Sequence, residues 1–131
     1  MKDLTKEAYD KAIEVLEKCA TPRGFYAAFP GYQGVWARDS MITLLGASLL
    51  GEKFKKACSS SIEILGEKQS EKGQVPNAVL FDRSPPQVDF KSIDSSLWFI
   101  IGNYIFKERY SEKLDEEKIQ KAVTWLSYQD I

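Results

Sequence analysis

The run Ala37-Arg38-Asp39-Ser40-Met41-Ile42-Thr43-Leu44-Leu45-Gly46-Ala47-Ser48-Leu49-Leu50 decides the fold. Beyond Asp39 it continues for about three helical turns without a charge. Met41, Ile42, Leu44, Leu45, Ala47, Leu49 and Leu50 surround the axis and leave no charged face, the pattern of a helix buried on all sides. Asp39, a preferred N-cap residue, reads as its start, and Gly51 marks its end near Leu50.

A second such run lies farther along. A helix capped by Asp94 is expected to reach about Arg109, and residues 97–101 and 104–106 within it are apolar on nearly every side. The other helices are amphipathic. Over residues 5–19, Ala8, Ala12, Val15 and Cys19 form one row, with Tyr9, Ile13 and Leu16 beside it. Over 52–68, Phe54, Ala57, Cys58, Ser61, Ile62 and Leu65 follow the i, i+3, i+4, i+7 spacing. Over 115–128, Ile119, Ala122, Val123 and Leu126 share a face. Helices one, three and five thus have a solvated side and helices two and four do not. The alternation predicts an all-α, single-domain chain (residues 1–131) of stacked hairpins, with outer and inner helices in two layers. Inner helices in such a layer run parallel, so Asp39, Asp94 and the loops before them (21–36 and 69–93) converge on one face. The second loop, broken by Gly73, Pro76, Pro85 and Pro86, has the length of functional rather than merely connecting segments. Extended pieces, if any, are short and confined to these loops.

Composition narrows the function. With 44% hydrophobic and 28% charged residues in 131, this is a globular, water-soluble composition. A net charge of −1 offers no basic excess for nucleic acid or an anionic membrane. The apolar runs are too short to span a bilayer, and the charged start lacks the apolar core of a signal peptide, so a cytoplasmic location is expected. Cys19 and Cys58 lack metal-ligand spacing and sit on apolar stripes, as buried free thiols would in a reducing compartment. Histidine is absent, which removes His-based triads and HExxH zinc chemistry. The acids show no ligand spacing, and neither metal nor cofactor is expected.

Three segments can carry chemistry. Gly34-Val35-Trp36-Ala37-Arg38-Asp39-Ser40 supplies a forked donor, a forked acceptor and an aromatic plate, which suit sugar hydroxyls and the C–H face of a sugar ring. The same residues also read as a cap, a surface ion pair and a core Trp. Ser92-Ile93-Asp94-Ser95-Ser96-Leu97-Trp98-Phe99-Ile100 repeats the acid-before-apolar-helix arrangement. Asp94 reads either as a cap or as a general acid. The acid role conflicts with a helix start, which favours the ionised carboxylate. It therefore requires an apolar wall, for which Trp36, Phe25, Tyr26 and Tyr32 are candidates, or a second carboxylate. Gly73-Gln74-Val75-Pro76-Asn77 reads as a turn whose neutral amides, Gln74 and Asn77, suit hydroxyls.

In that order and spacing the three segments resemble the early motifs of (α/α)6-barrel glycoside hydrolases, most closely the amylo-α-1,6-glucosidase domain of glycogen debranching enzymes. The likeness runs from about Gly24 onward. It implies a substrate site at the N-terminal ends of the inner helices. There Arg38 and Asp39 would bind the terminal sugar, Trp36 would line the pocket, Gln74, Pro76 and Asn77 would form the rim, and Asp94 would be the general acid. Hydrolysis would invert the anomeric centre, with a base carboxylate roughly 6.5–9.5 Å from the acid. About five helices are expected here against the twelve of such a barrel, and no residue matches the family's base Glu. The implied chain is the N-terminal part of the toroid, inactive alone. Its partners would be an α-glucan or oligosaccharide and the rest of the barrel or a second copy. The competing readings are a non-catalytic sugar-binding module and a self-associating helical scaffold.

Overall fold

The computed structural model describes residues 3–129. Among them are five α-helices: α1 (Leu4–Cys19), α2 (Ala37–Ala47), α3 (Lys55–Glu67), α4 (Asp94–Tyr110) and α5 (Glu116–Ser127). The fold is helix-rich, with a few small strands confined to the loops. Strands β1 (Ala20–Thr21) and β2 (Gly24–Phe25) form a hairpin after α1. A three-stranded antiparallel sheet joins the two long loops. It consists of β3 (Gly34–Trp36), β4 (Ala78–Leu80) and β5 (Gln87–Asp89), with Trp36 opposite Ala78 and Ala78 opposite Asp89.

Local chemistry sets the helix ends. Asp3 starts α1 by accepting from the N–H groups of Thr5 and Lys6, and Asp115 starts α5 by accepting from Lys118. The expected cap at Asp39 is corrected: α2 begins two residues earlier, with Trp36 at the cap position and no side-chain cap. The N–H of Ala37 donates instead to the Asn77 carbonyl at 2.9 Å, because strand pairing brings that carbonyl to the helix start. The expected cap at Asp94 is corrected too. Asp94 is the first helical residue, and Ser92 accepts from the Ser95 N–H. The second helix also ends sooner than expected. After Ala47 the chain tightens into a 3₁₀ segment (Ser48–Phe54) broken at Leu50 and Gly51, where φ is +72° at the glycine, and α3 starts only at Lys55.

Helices α2 and α4 run side by side in the same direction. Arg38 meets Asp94 at their starts, and the hydroxyl of Tyr110, the last residue of α4, donates to the Gly51 carbonyl just past α2. Between these points the helices touch at Gly102, where an added Cβ would lie 2.0 Å from Met41 Sδ. Phe99, Met41, Leu44, Leu65, Val75 and Phe25 make the core between this pair, α3 and the loops. Covering is one-sided, however. Ile42, Leu97, Ile101 and Tyr104 remain 43–52% exposed, which corrects the expectation that α2 and α4 are buried all round. Composition records what a helix can bury, not how many neighbours it has. The apolar row of α1 is likewise mostly open, and only its Cys19 end is buried. On α5, Ile119 and Ala122 are buried while Val123 is exposed. Cys19 and Cys58 are buried free thiols, as expected. No helix among the described residues is long and apolar enough to cross a membrane.

Candidate active site

The starts of α2 and α4 form the expected meeting point. The Arg38 guanidinium approaches Asp94 Oδ2 through Nε at 2.7 Å and Nη2 at 2.6 Å. The Ser92 hydroxyl donates to the other carboxylate oxygen, Oδ1. Both charged side chains stay in contact with water, Arg38 at 60% exposure and Asp94 at 35%. Asp94 is consequently held ionised. The Ser92 hydrogen bond lowers its pKa most, burial opposes it as the next largest effect, and the hydrogen bond and charge of Arg38 then help to keep the net shift downward. Three of the four residues named for an apolar wall at Asp94 have other places. Phe25 belongs to the core, Tyr26 stacks on Phe81 at 6.1 Å, and Tyr32 is exposed.

The remaining candidates surround this pair. Asp39 lies in the first turn of α2 and is exposed. Trp36 ends β3, half-buried, and its indole N–H is shut away from water with no hydrogen-bond partner among the described residues. Gln74 has both amide N–H groups committed and Asn77 has one. Gln74 donates to the carbonyls of Phe90 at 2.7 Å and Ser92 at 3.2 Å, which fixes the approach to Asp94. Asn77 donates to Asp89 Oδ2 at 2.7 Å, and its backbone bonds both Asp89 and Ala37. Both amides therefore hold loops in place; Gln74 keeps its carbonyl oxygen for other partners, and Asn77 keeps its carbonyl oxygen and one N–H.

Sequence reasoning missed Ser92, Ser95 and Asp89. The first two had a legible signal: a Ser three residues ahead of another polar residue at a helix start is a capping pattern. Asp89 had none, since its partner Asn77 is 12 residues away across a sheet pairing. The larger grooves lie elsewhere. One of about 610 Å³ runs between α3 and the segment after α4, lined by Lys55, Ser59, Asn103 and Glu112.

A family model described as amylo-alpha-1,6-glucosidase matches residues 10–126. The chain belongs to the amylo-alpha-1,6-glucosidase family. No curated protein and no solved structure matches it. Amylo-alpha-1,6-glucosidase membership makes this a glycoside-hydrolase-type domain, and the matched span takes in the sheet, both helix starts and the Arg38–Asp94 pair.

Proposed function

We propose that this chain is the carbohydrate-binding part of an inverting, debranching-type exo-glucosidase that acts on α-glucans in the cytoplasm. The observation that carries this reading is the Arg38–Asp94 pair at the joined helix starts, in a chain whose family cleaves glycosidic bonds. Arg38 and Asp39 bind hydroxyls of the terminal glucose, and the Trp36 ring packs on its C–H face. Gln74 and Asn77 hold the rim and offer their amide oxygens. Asp94 protonates the oxygen of the leaving glucan, while a second carboxylate draws the proton from a water on the opposite face of the ring. That base, and the helices that cover Ile42, Leu97, Ile101 and Tyr104, belong to the rest of an (α/α)6 toroid or to a second copy. Without them the chain binds sugar and does not turn it over.

Glucose release from isomaltose and maltooligosaccharides by the full barrel tests the acid role. Asp94→Asn abolishes it on this reading, and undiminished turnover in that variant removes Asp94 from the mechanism. Binding is tested separately by sugar-dependent Trp fluorescence, present in the wild type and lost in Arg38→Ala. The resting ionisation of Asp94 favours a second reading, sugar binding without catalysis. That reading is supported if Asp94→Asn keeps the fluorescence response and the complete barrel releases no glucose.

A further inference from the structure

The carboxylate of Asp89 stands on the small sheet that leads into both helix starts. Strand β3 runs directly into α2, and β5 precedes α4. Register puts Trp36, Ala78 and Asp89 in one row across the three strands. Residues paired in this way carry their side chains on one face. Val35 and Val79 of the next row are fully buried, so they face the core and the row of Trp36 and Asp89 faces away from it. Trp36 and Asp89 are both half-buried there, with backbones roughly 10 Å apart across two strand spacings. The row is tied to the helix starts on both sides. The Ala37 N–H donates to the Asn77 carbonyl, and Gln74 holds the carbonyls of Phe90 and Ser92 between Asp89 and Asp94.

The partners of Asp89 leave it free for a ligand. The Asn77 N–H donates to the Asp89 carbonyl at 2.7 Å, so the backbone already holds this corner. The side-chain bond from Asn77 Nδ2 to Asp89 Oδ2, also 2.7 Å, orients two polar groups upon it. The other described partner of Asp89 is the Lys91 backbone N–H, at 3.2 Å from Oδ1. Both donors are neutral, whereas Asp94 meets Arg38. Each carboxylate oxygen of Asp89 keeps a lone pair, and Asn77 keeps one N–H and its carbonyl oxygen. Acceptors and a donor thus stand side by side, the set that two neighbouring hydroxyls satisfy, since each can donate one proton and accept another. We propose that Asp89, oriented by Asn77, is a further sugar-binding residue. Its carboxylate accepts from two neighbouring hydroxyls of a glucosyl unit whose C–H face lies on Trp36, and it selects for that pair of hydroxyls. This rests on the sugar-site reading above and deepens it.

The test is an amide NMR titration of the chain with isomaltose. Resonances of residues 36–38, 77–78 and 88–91 should shift. In Asp89→Ala the affinity should fall roughly tenfold or more, as for loss of hydrogen bonds to a charged group. Asp89→Asn keeps an acceptor for Asn77 but loses the charge; it should weaken binding too, and it replaces the alanine variant if that one lacks a native amide spectrum. Isomaltoses that each lack one hydroxyl separate contact from bracing. Removal of either contacted hydroxyl should weaken binding to the wild type and cost the folded Asp89 variant nothing more. Losses of equal size in both proteins, or an unchanged isomaltose affinity in the variant, overturn the assignment of Asp89 while the sugar-site reading stands. If isomaltose shifts nothing in the wild type, the sugar-site reading fails and takes the assignment with it.

Discussion

The two ends of the α2–α4 pair treat ionisable groups in opposite ways. At the starts, Arg38 and Ser92 hold Asp94 charged in contact with water. Beyond the ends, Cys58 sits fully buried on α3 beside Tyr110, and burial pushes its thiol up to about 12. The Tyr110 hydroxyl is raised as well, again by burial first. A perturbed group therefore does not by itself mark a functional site. Direction and exposure separate the two cases. One end keeps a charge where a ligand can reach it, and the other keeps charge out of a core. Groove size alone points elsewhere, since the groove of about 850 Å³ lies around the end of α4 and the segment after it, away from Asp94.

The largest effect expected from this contrast is in thiol chemistry. The thiolate is the reactive form, and raising the Cys58 value from 9.0 to about 12 cuts its population at pH 8 by about a thousandfold. Cys58 should react with a disulfide reagent only as fast as the protein unfolds. The sign for stability follows. A raised folded value gives stability that is present below pH 9 and lost as pH climbs toward 12. Rapid native-state labelling would show that the closed end is not closed.

Next is the contact that joins the ends. Gly102→Val forces a branched side chain against the fully buried Met41, and overpacking of this kind costs about 2–3 kcal/mol. Urea unfolding should show a lower midpoint at unchanged slope. A neutral outcome would mean the helices separate easily, so that the two ends are independent.

Much of this was legible because it rests on periodicity. The apolar runs around Met41 and Phe99 located the paired helices, and their shared direction followed from the alternation with α3. What stayed hidden depends on non-local bonds. The start of α2 is set by a carbonyl 40 residues away at Asn77, and no local cap signal encodes that. The partner of Arg38 lies 56 residues on, so the sequence offered two charged candidates for one site without showing that they neutralise each other. The exposed faces of α2 and α4 escaped notice for a different reason, since an apolar surface does not announce whether it is covered.

A smaller effect sharpens the site end alone. Asn77→Ala removes the amide that pairs with Asp89 but leaves the Ala37 bond, which uses the Asn77 backbone. The expected loss is about 1–2 kcal/mol, because a half-buried carboxylate keeps only the Lys91 N–H of its two donors. Hydrogen exchange should quicken in residues 77–80 and 87–89 and stay unchanged at Cys58 and Tyr110. Equal loosening at both ends would dissolve the distinction between them.

The smallest effect is the acid counterpart of the Cys58 limb. The folded pKa of Asp94 lies below 3.8, so its contribution is present above that value and lost as pH falls through the folded one. Arg38 and Asp94 are both substantially exposed, and water screens the pair to under about 1 kcal/mol. Arg38→Gln should therefore lower stability slightly at pH 6 and converge with the wild type in stronger acid, while the alkaline limb above pH 9 stays the same in both. A variant that loses its alkaline limb as well would place Arg38 in the global packing. Loss of the acid limb alone confines the work of Arg38 to one carboxylate at the open end of the pair.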